Sequence, residues 1–465
     1  MQVDMPKFVN IDHDTELLLP PNLRDWVPAG HLVHFVMDAV DLIDVSEAKV
    51  NQRGTGSAQY PPRLLLGLLV YSYATGQFSS RQIERATYEN VEVRLLCADT
   101  HPDHDTLCTF RRQNGALLHR AFAQVLELAA GCGVLKVGGV TVAIDGTTVL
   151  ANASKHAAVS HAHAQSTLRE IDAEIAQLLG KAEQADSTPL QDGLTIEGEV
   201  ARRQQRKARL LQAKAEMEAR AYARFQAEQA EHQAKLAKRQ AAREAGRKPR
   251  GPEPKAPDPA PGEKDQVNFT DSESRIMKTK DGFQQCYNAQ AGVETDSRLI
   301  VGARVAQAPN DKEQLGPSLA AVREHVRPAH VLVDSGFVSE AAIKEAEQAG
   351  PDEKSGGVRV LAAVKREHHG RTVAQLEKRE DPPTPGADAP FAERLAHRTA
   401  TAAGRALYKL RQQTVEPVFG IIKSVLGLRR FLLRGLAKAS LEWDLVCLAY
   451  NLKRLHRLDA RLRPA

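Results

Sequence analysis

Cysteine is sparse in this 465-residue sequence, and what there is lies scattered. The five residues (Cys97, Cys108, Cys132, Cys286 and Cys447) form no Cys-x-x-Cys pair. That argues against a structural zinc site or a disulfide framework and fits a reducing compartment. Long apolar runs are also missing. LLLGLLVYSYA, at 64–74, is the most apolar stretch and is too short to cross a bilayer. No signal peptide opens the chain, so the expectation is a cytoplasmic protein without a membrane partner. Aromatic residues make up only 5%, and the two tryptophans are Trp26 and Trp443.

What is present is enough apolar residue, 42%, to bury a large core in two or three domains. The net charge of +5 is unevenly spread. Residues 201–250 hold 15 Lys and Arg against 5 Asp and Glu, a local +10, so the rest of the chain is near −5. A cationic block in an otherwise near-neutral chain suggests a polyanionic partner, although a solvated helix face would look the same.

Residues 1–130 read as helical. Apolar periodicity predicts helices over 31–43 and 63–75, with Gly54, Gly56 and the Pro61-Pro62 pair between them. Ser79 or Ser80 opens a short helix carrying Arg81, Glu84 and Arg85, and Asp105 or Thr106 opens another that ends in Arg111 and Arg112. Short helices with arginines on the later one suggest a helix-turn-helix arrangement, against the plainer reading of a helical bundle with surface arginines.

In GVTVAIDGTTVL, Val140, Val142 and Ile144 alternate with Thr141 and Ala143, which predicts a buried strand delivering Asp145 to a sheet edge. The histidine-dense SKHAAVSHAHAQ follows (His156, His161, His163); with no acidic or cysteine ligand at suitable spacing, it reads as a solvated or DNA-facing stretch rather than a metal site. Leu168, Ile171, Ile175 and Leu178 then step by three and four, and a second, basic helix runs to about Arg243. A helical hairpin is expected, closed by the proline-rich linker 246–264.

From 265 the pattern is αβ again. Strands at 286–295 and 298–307 form a hairpin turning at Asp296-Ser297, a helix covers 311–325, and VLVDSG ends a strand at Asp334. A helix closed by Gly350, a strand at 358–364 and a helix opened by Glu416-Pro417 complete the order. This makes a mixed sheet with helices on both faces, interrupted by the hairpin. The domains expected are 1–130, 135–155 with 265–465 as the core and carboxy-terminal helices, and 156–264 as the insertion.

Carboxylates brought close together raise one another's pKa unless a cation neutralises them, so three converging acids make sense around Mg²⁺. Two such ions would activate a water or a 3′-hydroxyl for in-line phosphoryl transfer. Any aspartate after an apolar run can instead cap the next helix. Asp271, Asp281, Asp296 and Asp311 compete for the middle position, and Asn288 and Gln290 alternate on one strand face where they could point at the site.

The segments AIDGTTVLANAS, TDSESRIMKTKDGFQQCYNAQAGVETD, VLVDSGF and above all QTVEPVFGIIKSVLGLRRFLLRG with WDLVCLAYNLKRL resemble bacterial insertion-sequence transposases of the DDE type. The resemblance implies a ribonuclease-H-like catalytic core behind a helical amino-terminal domain. It implies Asp145, Asp334 and Glu416 as catalytic, metal-binding acids for two Mg²⁺ ions, with Mn²⁺ able to substitute. Tyr408, Arg411 and Lys423 match in type the residues that surround the glutamate in that family, with Arg411 one residue further from it than in the commonest pattern. Lys423, seven residues after Glu416, would share its helix face and hold a DNA phosphate. Arg429 and Arg430 nearby, and Arg111 and Arg112 in the helical domain, are further candidates for contact with DNA. The activity implied is binding of terminal inverted repeats, metal-dependent cleavage and strand transfer into target DNA. It would be carried out by a homodimer in a nucleoid-associated setting. A nuclease that does not join, or a non-catalytic end-binding repressor, would share much of this sequence.

Overall fold

The computed structural model describes residues 22–49, 59–183, 194–246, 251–348, 357–364, 380–386 and 388–459. Two units divide it, one of residues 1–137, 424–426 and 444–465, the other of 138–423 and 427–443. Residues from Asp444 onward, within the last helix, group with the amino-terminal helices.

The first unit contains α1 (Leu23–Trp26), α2 (Leu32–Leu42), α3 (Pro62–Ala74), α4 (Ser80–Glu89), α5 (Val91–Leu96), α6 (His104–Gln113) and α7 (Gly115–Gly131). Every residue of α3 from Leu65 to Ala74 is buried, which explains why this stretch is apolar on all sides. Against it pack α5, α6 and the inward stripe of α2 (Val33, Val36, Val40), while α7 buries a stripe of its own (Leu118, Phe122, Val125). Lys453 donates to the Ala74 carbonyl at 2.6 Å, tying residues from the chain's far end to the end of α3.

Two expectations for this unit need correcting. The cap of α6 is Asp103, whose carboxylate accepts the Thr106 N–H at 2.7 Å and the Thr106 hydroxyl at 2.9 Å, not Asp105 or Thr106. And α4 and α6 are not joined by one tight turn. Helix α5 intervenes, followed by a reversal in which Ala98 and Asp99 take positive φ. The two helices are linked through side chains, His104 to Glu84 at 2.8 Å.

The second unit is built on a six-stranded mixed sheet. Its strands are β1 (Gly138–Leu150), β4 (Arg275–Thr279), β5 (Gly282–Glu294), β6 (Ile300–Ala306), β7 (Arg327–Val333) and β8 (Arg359–Ala362). The order is β4-β5-β1-β7-β8, with β6 also on β5. β5 runs antiparallel to β1, β4 and β6, while β7 and β8 run parallel to β1. β4, which forms a hairpin with β5 turning at Lys280–Asp281, goes beyond the sequence expectation; it is short, and one residue of it, Met277, is buried. α10 (Leu315–Arg323) sits against one face so closely that a Cβ on Gly292 or Gly302 would lie 2.3 or 2.7 Å from Val322 Cγ2. α11 (Glu340–Gln348) follows β7, and Gly350 falls outside the described residues. α12 (Phe391–Ala400) and α13 (Ala402–Gly420) lead to a π-helical turn at Ile421–Val425, and α14 spans Leu436–Arg457.

Between β1 and β4 the chain makes the expected hairpin, α8 (His161–Glu183) and α9 (Ile196–Glu244), clasped at its base by the short strands β2 (Ala158–Ser160) and β3 (Gln266–Asn268). Leu168 and Ile171 pack with Leu210, Ala213 and Met217 in one apolar seam. The proline-rich stretch is not a free linker. It folds back along the second half of α9, held by Arg239 to the Gly251 carbonyl, His232 to the Pro254 carbonyl and Arg224 to Asp265. Among the described residues no helix is long and apolar enough to cross a membrane.

Candidate active site

Asp145 is not at a strand end. It is the eighth of thirteen residues in β1, and β5 pairs with β1 past it to Leu150. What ends beside it is β7. The parallel pairing of β1 and β7 stops at Ala143 opposite Leu332, so two residues further on Asp145 is level with Asp334. The two acids thus stand on adjacent strands where one of those strands stops. Asp334 also caps the short 3₁₀ turn that follows, through Gly336 N–H to Oδ1 at 2.7 Å. The capping reading of this aspartate is therefore met.

Glu416 comes from the opposite layer. It does not open a helix: α13 starts at Thr401, whose hydroxyl caps Gly404 N–H at 3.1 Å, and Pro417 lies inside it. Proline lacks the N–H that would bond the carbonyl four residues back, and its cost falls where the helix is already ending. The following turn widens to a π form, a type that recurs at functional sites.

Arg411, one turn earlier on α13, joins the acids. Its guanidinium reaches Asp145 Oδ2 at 3.5 Å and Glu416 Oε1 at 3.2 Å, with only 12% of the side chain exposed. Its Nε is buried without a hydrogen-bond partner. Glu416 is the open member of the set, 53% exposed against 18% for Asp145. Burial, and then the negative charge of Asp334, push the Asp145 carboxyl up to about 7. A carboxylate in that state lacks positive charge that one guanidinium supplies only in part, and hard carboxylate oxygens are the donors a divalent magnesium prefers. Among the described residues no three His, Cys, Asp or Glu side chains come together closely enough to hold a metal ion. The donor chemistry fits the metal; the trio is linked through Arg411 rather than gathered.

The other sequence candidates fall into groups. Tyr408 does not offer its hydroxyl to DNA: it donates to the Val333 carbonyl at 3.1 Å and accepts Ala363 N–H at 3.3 Å, pinning the ends of β7 and β8. It therefore acts on the position of Asp334, the next residue after Val333. A Tyr408→Phe variant is expected to lower turnover by about tenfold while leaving DNA binding unchanged, as judged by single-turnover cleavage against binding in EDTA. Lys423 lies within the π turn. Its ammonium donates to the Thr148 carbonyl at 2.7 Å, and burial lowers its pKa. Arg429 and Arg430 are exposed, on a segment whose backbone pairs with Leu150 at the end of β1.

Arg111 is a correction. It is buried at 3% exposure and donates to the Tyr73 hydroxyl at 2.6 Å and the Phe78 carbonyl at 3.1 Å, so its charge serves the interior of the helical unit. Arg112, with Arg81 and Arg85, is exposed. Replacing Arg111 by alanine should destabilise that unit by roughly 2–3 kcal/mol, readable as a lowered denaturation midpoint, whereas Arg112→Ala should leave the midpoint unchanged.

Of the competing acids, Asp271 is buried under the Tyr287 hydroxyl (2.8 Å) and Gly435 N–H (3.2 Å). Asp311 does approach the site, but from behind. Gly146, Gln290 and Asn288 share the sheet face opposite Asp145, and both amides donate to Asp311 Oδ1, at 2.5 and 2.8 Å. A Cβ on Gly146 would lie 2.3 Å from the Gln290 amide nitrogen, so only glycine leaves room for this cluster. Asn288 and Gln290 hence do not point at the acids. Signals for this were present: a glycine after the strand aspartate, and an aspartate following Pro309-Asn310.

Asp145 and Asp334 thus stand level on adjacent strands, and Glu416 on α13 is linked to Asp145 through Arg411. Residues 255–452 match the family model described as "Transposase DDE domain", and residues 21–113 match one described as "Transposase domain (DUF772)". The chain belongs to the DDE transposases of insertion sequences, with a helical amino-terminal part and a mixed-sheet catalytic part of the ribonuclease-H-like type. The first match takes in Asp334, Tyr408, Arg411, Glu416 and Lys423 and begins after Asp145. No curated protein and no solved structure matches the chain at a significant level.

Proposed function

We propose that this transposase recognises the terminal inverted repeats of its element, cleaves there in a metal-dependent step and joins the freed 3′-hydroxyl to target DNA. The observation that carries the reading is the level pairing of Asp145 with Asp334, coupled through Arg411 to Glu416. Asp145, Asp334 and Glu416 would hold Mg²⁺, two ions in the full complex, with Mn²⁺ able to replace it. Bound there, the metal supplies activation of the attacking oxygen and stabilisation of the leaving one.

The chain's own residues have distinct parts. Arg411 holds Asp145 and Glu416 in register while the site lacks other positive charge. Tyr408 keeps the end of β7, and so Asp334, in place. Arg429 and Arg430 are available to DNA phosphates beside the end of β1; Arg81, Arg85 and Arg112 would approach DNA from the helical unit. Lys423, held by a carbonyl, would reach a phosphate only after giving up that bond. Pairing two element ends calls for a homodimer in the DNA complex.

The test uses labelled duplex carrying an end of the element, incubated with the full chain and Mg²⁺ or EDTA. Metal-dependent nicking at the repeat boundary, followed by joined product, is expected. Nicking without joining at any target concentration would reduce the reading to a nuclease. Binding without cleavage in every divalent metal would leave an end-binding repressor.

A further inference from the structure

Helix α9 carries twelve lysines and arginines, yet they do not surround it. At about 100° per residue, all of them fall within a sector of roughly 160°. That sector includes the side packed on α8 and, further along, on the returning proline-rich stretch. Many of its charges are spent there, Arg203 on Glu174, Lys207 on Asp172, Arg224 on Asp265 and Arg243 on Glu253.

The other side of the helix is almost uncharged. From Ala201 to Gln240 a face of about 140° holds eighteen residues, every one of them exposed. Seven are alanine and seven glutamine; the rest are Leu211, Tyr222, Leu236 and Glu218, whose charge Lys214 meets at 3.6 Å. The leucines and the tyrosine are 46%, 40% and 56% exposed, and the Phe225 ring, at the border of the face, lies 6.4 Å from that of Tyr222. A helix face left to water ordinarily carries charge, and a long apolar one left open marks a contact surface.

The large residues of this face are placed symmetrically. Leu211 lies eleven residues before Tyr222, and Leu236 lies eleven after Phe225. Eleven residues make three turns, so the anchors stay in line along the helix. A half-turn about a point between positions 223 and 224 exchanges Leu211 with Leu236 and Tyr222 with Phe225. We infer that a second copy of this chain docks here, with the two α9 helices antiparallel about that axis. Leu211 then meets the partner's Leu236, and Tyr222 meets the partner's Phe225.

A copy suits the face better than other occupants. An isologous contact requires a patch complementary to itself, which the spacing supplies. DNA phosphates would find no cation on it. The alanines let two helix axes come within the usual 8–10 Å, and they do so without opposing the cationic sectors. Eighteen residues a side fall just below the roughly 20–30 of a standard interface, which fits a reversible dimer. The inference goes beyond the dimer proposed for the DNA complex, because this contact needs no DNA.

The test is sedimentation velocity of the full chain without DNA over a wide range of concentration, where a monomer–dimer equilibrium is expected. Leu211→Glu/Leu236→Glu should weaken association roughly tenfold or more with helical content unchanged, since both side chains are exposed and lie outside the seam with α8. Lys238→Gln, on the opposite side of α9, should leave association as it was. Leu211→Cys/Leu236→Cys should give a covalent dimer on oxidation, above the background of the parent. Neither single cysteine variant should, because antiparallel pairing keeps like positions about 37 Å apart. A monomer at every concentration, or a dimer indifferent to the glutamates, overturns the inference. So do covalent dimers from either single variant, which would require parallel helices. Metal-dependent cleavage of element-end duplex by the parent is read separately. If it persists in a chain that is monomeric without DNA, the helix contact fails and the transposase reading stands.

Discussion

Asp145→Asn, Asp334→Asn and Glu416→Gln are each expected to reduce metal-dependent nicking by about 10³-fold or more while retaining binding of element-end DNA in EDTA. The size follows from the several kcal/mol of charge stabilisation that a metal ion contributes, at about 1.4 kcal/mol per tenfold in rate. The amides preserve shape and remove one anionic ligand each. Asp311→Asn and Asp296→Asn serve as controls and should cleave within a few-fold of the parent. Asp311 lies on the far face of β1 behind Gly146, and Asp296 sits in the β5–β6 turn, where its N–H donates to Glu294 Oε1 at 2.9 Å. Cleavage surviving in Asp334→Asn and lost in Asp311→Asn would move the middle acid to the other face of the sheet. Loss of DNA binding along with cleavage in all three variants would show that the acids shape the DNA surface rather than the chemistry.

The second large effect concerns stability and its pH dependence. The Asp145 carboxyl is pushed up to about 7 in the folded chain, against the ordinary aspartate value of 3.8, through burial and then the charge of Asp334. Below pH 3.8 the proton is held in both folded and unfolded chains and the native state carries no penalty. As pH rises through the window to about 7 the unfolded chain releases this proton first, so native stability falls, and above 7 the loss is complete. At about 1.4 kcal/mol per unit the loss is roughly 4–5 kcal/mol in the absence of metal. Asp145→Asn should therefore raise the denaturation midpoint of the metal-free chain at pH 8 and change it little near pH 4. Millimolar Mg²⁺ should stabilise the parent and not the variant, since only a ligand that prefers the native state adds stability. Equal midpoints for parent and variant at pH 8 in EDTA would mean that Arg411 already neutralises Asp145. The trade of stability for an acid that works only with a cation is a common cost of active sites.

Much of this arrangement was legible in the residues. Alternation in GVTVAIDG and VLVDSG marks two buried strands, and heptad-like steps at Leu168, Ile171 and Ile175 mark the hairpin whose seam the structure contains. The TVEPVFGIIK stretch carried the resemblance, and the family match over 255–452 includes it. Less visible was anything that depended on what a residue faces. Arg111 and Arg112 are neighbours of one type; one bonds Tyr73 and Phe78 in the interior and the other meets solvent. Pro417 reads as a helix start in sequence, because the Thr401 cap that begins the helix sixteen residues earlier has no strong signal after it.

By itself, the sequence determined most of the longer strands and helices, that a basic helical hairpin interrupts the sheet, and which acids follow buried runs. These are local consequences of period, turn residues and charge, and they need no partner to express them. Only the tertiary structure decided that β7 stops level with Asp145, that Arg411 spans Asp145 and Glu416, and that the Lys423 ammonium bonds the Thr148 carbonyl. It also decided that α8 and the proline-rich stretch cover the same side of α9, which leaves the uncharged side exposed. Register, strand length and helical phase are set by packing between distant segments, and no single segment carries them.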